Sequence, residues 1–133
     1  MATFVMAFGI ATSIVAMQTG FKSIDVARGT TLASQIIQSE IERIRMLSWT
    51  SVTAMDGEYP VDLSTMFTTD PTLAARFTVT RRVVADATRP SDVRDIWIEV
   101  DWRGYDGRPH QRTFYTKYVK NGLYDYYYTL ARP

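Results

Sequence analysis

The sequence predicts an α+β protein, a long N-terminal α-helix whose apolar first half projects and whose second half packs on a three- to four-stranded antiparallel β-meander. Three observations predict it. No charged side chain occurs in residues 1–21, so all 15 basic and 14 acidic residues of the 133-residue chain lie behind that segment. Apolar residues then recur at three- and four-residue spacing as far as Leu47. Beyond residue 76 the apolar period becomes two, broken by turn-forming residues. The length suits one domain. With 46% hydrophobic and 22% charged residues and a net charge of +1, the chain is neither disordered nor a protein that holds nucleic acid by bulk charge.

The head, residues 1–21, admits three readings. A secretory signal would start with basic residues and close on a small-residue cleavage site, and neither is present. A membrane-crossing helix needs about 20 apolar residues to cover about 30 Å, which this segment supplies. Phe4, Val5, Phe8, Ile10, Ile14 and Val15 each favour insertion by about 0.3 to 0.6 kcal/mol, and no central charge opposes them. These six are the expected membrane or filament-core residues. The third reading, a buried core helix, conflicts with the pattern of residues 21–47.

From Phe21 to Leu47 there is no proline, and Leu32, Ile36, Ile37, Ile41, Ile44 and Leu47 form one helix face, expected to pack on the sheet. Glu40 with Arg43 and Glu42 with Arg45 read as exposed i, i+3 pairs worth about 0.2 to 0.5 kcal/mol each. Gly9, Gly20 and Gly29 read as places to bend. A helix from Ala2 to Leu47 is about 69 Å long, whereas a globule built from residues 50–133 is roughly 30 Å across. About half the helix must project, and the projecting half is the uncharged one. The chain thus divides into a membrane or filament half of the helix (1–21), an amphipathic half (22–49) and a globular part (50–133).

Ser48, Trp49 and Thr50 close the helix pattern, and residues 51–74, with Gly57, Pro60 and Pro71, read as a long loop with a short helical turn near Thr72–Arg76. Three strands come next. Phe77, Val79, Arg81 and Val83 alternate with Thr78, Thr80, Arg82 and Val84. Ile96, Ile98, Val100 and Trp102 alternate with Trp97, Glu99 and Asp101. Phe114, Thr116 and Tyr118 alternate with Thr113, Tyr115, Lys117 and Val119. Residues 86–92 and 104–109, the latter with Asp106-Gly107, are tight connectors, and Asn121-Gly122 announces a last, tyrosine-rich strand over 123–130.

The uncharged head ending in AMQTG at Ala16–Gly20, the run TLASQIIQSEIERIRMLSW at Thr31–Trp49, and the alternating WIEVDWRGYDGRPHQRTFYT at Trp97–Thr116 resemble a type IV pilin or type II secretion pseudopilin, nearest a minor pilin. The resemblance covers most of the chain and implies a structural filament subunit. Its partners would be other pilin subunits, the assembly machinery and the membrane. The implied location is the bacterial inner membrane with the globular part outside the cytoplasm, or an extracellular filament. The alternatives are a secretion pseudopilin or a membrane-anchored binding module. Such proteins also carry a basic leader, a cleavage glycine, a methylated phenylalanine and an early glutamate, none of which precedes Phe4 here. The chain reads as beginning just inside that motif.

Two other functions are open. Between Arg76 and Lys120 ten basic residues face six acidic ones, so Arg81, Arg82, Arg103, Arg108 and Arg112 are candidates for a ligand or DNA surface. Pairing of Arg81 or Arg82 with Glu99 or Asp101 across strands would instead neutralise that face. The tyrosines at 124 and 126–128 read as sheet packing or a subunit contact. Catalysis has little to stand on. No phosphate loop, HExxH, GxSxG or calcium loop occurs, cysteine is absent, and the single His110 reads as a solvated loop residue. No enzyme activity, cofactor or metal is therefore expected.

Overall fold

The structure, a computed structural model, describes residues 2–64 and 71–123. Helix α1 runs unbroken over Ala2–Arg45, 44 residues and about 66 Å. Gly9, Gly20 and Gly29 do not interrupt it. Its last turn tightens as the Leu47 amide donates to the Ile44 carbonyl at 3.0 Å, and Arg43 and Arg45 oppose the negative end of the helix dipole. Leu47 thus lies just beyond the helix, half-buried, and its carbonyl accepts the Tyr118 hydroxyl at 2.6 Å. Ser48 does not simply end the helical pattern. It caps a second short helix, α2 (Trp49–Thr53), by accepting from the Ser51 amide.

The stretch read as loop also holds β1 (Gly57–Pro60), and α3 (Pro71–Ala74) supplies the expected helical turn. Strands β2 (Phe77–Ala85), β3 (Val93–Arg103) and β4 (Pro109–Val119) complete one sheet ordered β1-β2-β3-β4, antiparallel throughout. The fourth strand is therefore β1, at the edge beside β2. The strand expected over 123–130, and its tyrosines, lie outside the described residues apart from Leu123.

Alternation places one face of the sheet against α1. Phe77, Val79 and Val83 of β2 and Ile96, Ile98, Val100 and Trp102 of β3 are buried, and they meet Ala33, Ile36, Ile37, Ile41 and Ile44 of the helix. Leu32 and Leu47 pack at the margin of this core. The helix-packing face read from the sequence is the face observed. Registration is continuous: Val83 opposes Ile96, which opposes Thr116, and Phe77 opposes Trp102, which opposes His110. The β3–β4 connection closes with the Gly107 amide on the Gly104 carbonyl, and Gly107 takes φ +76°, a conformation that suits glycine. His110 is not a loop residue. It is the second residue of β4, half-buried and stacked on Trp102 with centroids 5.4 Å apart, because the hairpin is tighter than the Gly- and Pro-rich sequence suggests.

Candidate functional site

The first half of α1 lies open, with no core built around it among the described residues. Every residue from 3 to 24 is exposed, with Phe4 at 82%, Phe8 at 75% and Ile14 at 51%, and Val5, Ile10 and Val15 likewise open. Among the described residues this is the one helix long and apolar enough to cross a membrane. Four of its hydroxyls suit an apolar medium. Thr12, Ser13, Thr19 and Ser23 each donate their hydroxyl to a backbone carbonyl one turn back, at 2.9 to 3.1 Å. Hydroxyls satisfied within the helix need neither water nor a partner side chain. A Cβ added at Gly9 or Gly20 would meet nothing, so both are open notches on the rod.

Contact with the globular part starts at Asp25 and Gly29. An added Cβ at Gly29 would collide with Trp102 Nε1, so the bare backbone is what lets the indole lie against the helix. Asp25 holds the β3–β4 hairpin tip: one oxygen accepts the Tyr105 amide at 2.9 Å, and the other faces Arg76 at 3.5 Å. The Arg76 guanidinium in turn lies 4.7 Å from the Tyr105 ring centroid and donates to the Arg103 carbonyl.

Further along, Glu40 is fully buried between helix and sheet. Its carboxylate accepts two bonds from Arg43, at 2.6 and 2.8 Å, and one from Arg81 of β2 at 2.7 Å. The bonds that Arg43 donates to Glu40 raise the Arg43 pKa. The Glu40–Arg43 pair is thus no surface pair but part of a trio, anchored on a buried carboxylate, that joins α1 to the sheet, while Glu42–Arg45 remains exposed. Arg81 is sequestered because its position alternates with Thr80 and Arg82 and so shares the helix-facing side with Val79 and Val83.

The chain matches no family model, no curated protein and no solved structure.

The five arginines that are candidates for a ligand or DNA surface are dispersed. Arg81 is under the helix. Arg82 lies on the outer sheet face, 4.4 Å from the Trp97 ring, and Arg112 lines a groove between β4 and α1 beside Ile37 and Phe114. Arg103 and Arg108 alone share a site, the β3–β4 hairpin. The pairing of Arg81 or Arg82 with Glu99 or Asp101 does not form either, because the register sets Arg81 opposite Ile98 and Arg82 opposite Trp97. On the outer face Lys117 instead bridges Asp86 and Asp95, and Asp86 also accepts the amides of Thr88 and Arg89 at 2.8 Å. These bonds, that from Lys117 foremost, hold the Asp86 carboxyl down at about 2 and raise the Lys117 pKa. The Tyr115 hydroxyl donates to Asp95 at 2.7 Å, which raises the phenol's pKa.

The buried trio and the Asp25 junction leave no plain trace in the sequence. Glu40 sits in a helix face otherwise read as apolar, between Ile37 and Ile44, and that position is the available signal.

Proposed function

We propose that the chain is a structural subunit of a type IV pilus-like filament, held in a membrane by the first half of α1 before it assembles. One observation carries the reading: a continuous helix that buries its second half against its own sheet leaves its uncharged first half with no intramolecular cover. That apolar surface is out of water in two settings, a bilayer or a bundle of like helices. Residues 3–21 rise about 28 Å, close to the thickness of a hydrocarbon core of about 30 Å. Exchange between the two settings keeps the surface dry throughout assembly. Before assembly the globular part lies outside the cytoplasm at the bacterial inner membrane, and afterwards on the outside of the filament.

The chain lacks cysteine, so single cysteines report cleanly. Val5→Cys and Ile14→Cys variants should react only with lipid-phase probes while the subunit is dispersed in vesicles. They should cross-link between copies once filaments form. Rapid labelling of both sites by a water-soluble maleimide in vesicles would refute the anchor. Absence of any cross-link in concentrated, detergent-depleted protein would refute the filament.

A further inference from the structure

We propose that the β3–β4 hairpin tip and the adjoining turn of α1 form a collar that docks on anionic phospholipid headgroups. This rests on the membrane-anchor reading above and goes beyond it. The collar brings together residues distant in sequence. Phe21, Lys22, Ile24 and Arg28 of α1 line one cleft with Tyr105 and Asp106 of the hairpin. Tyr105 is 85% exposed although its backbone amide is tied to Asp25. A large aromatic fixed by its main chain and open to its surroundings invites a partner that accepts an apolar ring with a polar tip.

Position along the helix names that partner. If the hydrocarbon edge lies at Phe21, the last residue before the first charge, Asp25 stands about 6 Å above it. Headgroup layers are about 5 to 8 Å deep on each side of the core, so the Tyr105 ring lies within one, where tyrosine is favoured. Charge agrees. Asp25 and Asp106 are faced by Arg76 and Arg108 respectively, at 3.5 and 3.4 Å. Among the described residues Lys22, Arg28 and Arg103 have no ion-pair partner, and Lys22 and Arg28 are exposed beside the apolar rod. Lys22 stands about 2 Å and Arg28 about 10 Å above the same edge, so the uncompensated cations of the helix flank the headgroup layer, close enough to attract lipid phosphates and an anionic leaflet. Among the described residues, the Asp86–Asp92 connection at the opposite end of the sheet holds no aromatic side chain.

The test uses the full chain in vesicles of phosphatidylcholine alone or with about 30% phosphatidylglycerol. An environment-sensitive fluorophore is placed through Phe8→Cys, Tyr105→Cys or Ala87→Cys in separate variants, and quenchers are attached to lipid tails or headgroups. The Phe8 site should be quenched from the tails in both lipids. The Tyr105 site should be quenched from the headgroups, about twofold or more strongly with phosphatidylglycerol, and that increment should vanish with Lys22→Gln, Arg28→Gln and Arg103→Gln combined or in about 0.5 M salt. The Ala87 site should be unaffected. Tail quenching at Phe8 with a Tyr105 site as solvated as Ala87 would overturn the collar and leave the anchor standing. Headgroup quenching at Tyr105 that ignores both phosphatidylglycerol and the three substitutions would overturn its charge basis. No tail quenching at Phe8 would remove the anchor and the collar with it.

Discussion

Glu40 offers the sharpest test of how α1 is fixed to the sheet. Its side chain is wholly buried, and it pairs with Arg81, whose side chain is 11% exposed, and with Arg43, which is 43% exposed. Replacing Glu40 by Met leaves two cations facing each other. Arg43 can swing into water, but Arg81 cannot, and its Nε already lacks a partner. Removing one member of a buried pair costs about 3 to 5 kcal/mol, so Glu40→Met should lower the melting temperature by roughly 12 °C or more. Arg81→Met should cost less, about 2 to 3 kcal/mol, because Glu40 keeps two bonds from Arg43. The double variant, which removes both buried charges and fills their space with methylene and thioether groups, should recover most of the loss, giving a coupling of at least about 2 kcal/mol. Thermal unfolding of the four proteins in one detergent, followed by tryptophan fluorescence, supplies the cycle. Additive losses would refute the claim that the pair is linked across the helix–sheet interface.

Other contacts give further expected outcomes. Gly29→Ala should gain helix propensity yet lose about 1 to 2 kcal/mol net, since the new methyl collides with the Trp102 indole; a higher melting temperature would show that Trp102 yields freely. Asp86 has a pKa depressed to about 2, so its contribution to stability is whole above its unfolded value of about 4 and is lost as pH falls from about 4 to 2. Asp86→Asn should flatten urea-unfolding midpoints over that acid window, and an unchanged pH slope would contradict the Lys117 and amide bonds drawn to it. Ile14→Lys puts a charge mid-span at about 3 kcal/mol, so the partition constant into vesicles should fall by about 100-fold. Undiminished carbonate-resistant binding would count against insertion.

Much of this architecture is legible in the sequence because burial imposes periods. The 3.6-residue recurrence from Leu32 to Ile44 and the two-residue alternation in β2 and β3 each reflect one face turned to a shared core, and in both cases the face the pattern predicts is the face that is buried. Strand β1 has no such signature. Its four residues are all exposed, and Pro60 is tolerated because the strand lies at an edge. Buried charge is equally hard to read. Glu40 and Arg43 have the spacing of a surface pair, and their role depends on Arg81, 41 residues away, arriving from β2. His110 misleads for a related reason: its neighbours are turn residues, but its environment is set by Trp102 across the strand pair. The arginines of the expected ligand surface look continuous along the chain, yet alternation and hairpin geometry send them to different faces.

The central claim is that the first half of α1 belongs to no core of its own molecule. Deleting residues 2–21 and measuring the product by sedimentation and thermal unfolding tests this directly. The expected product is a water-soluble monomer that melts cooperatively, with the Trp102 environment of the intact chain preserved. A truncated chain that fails to fold, or that needs detergent to the same degree as the full chain, would contradict the claim.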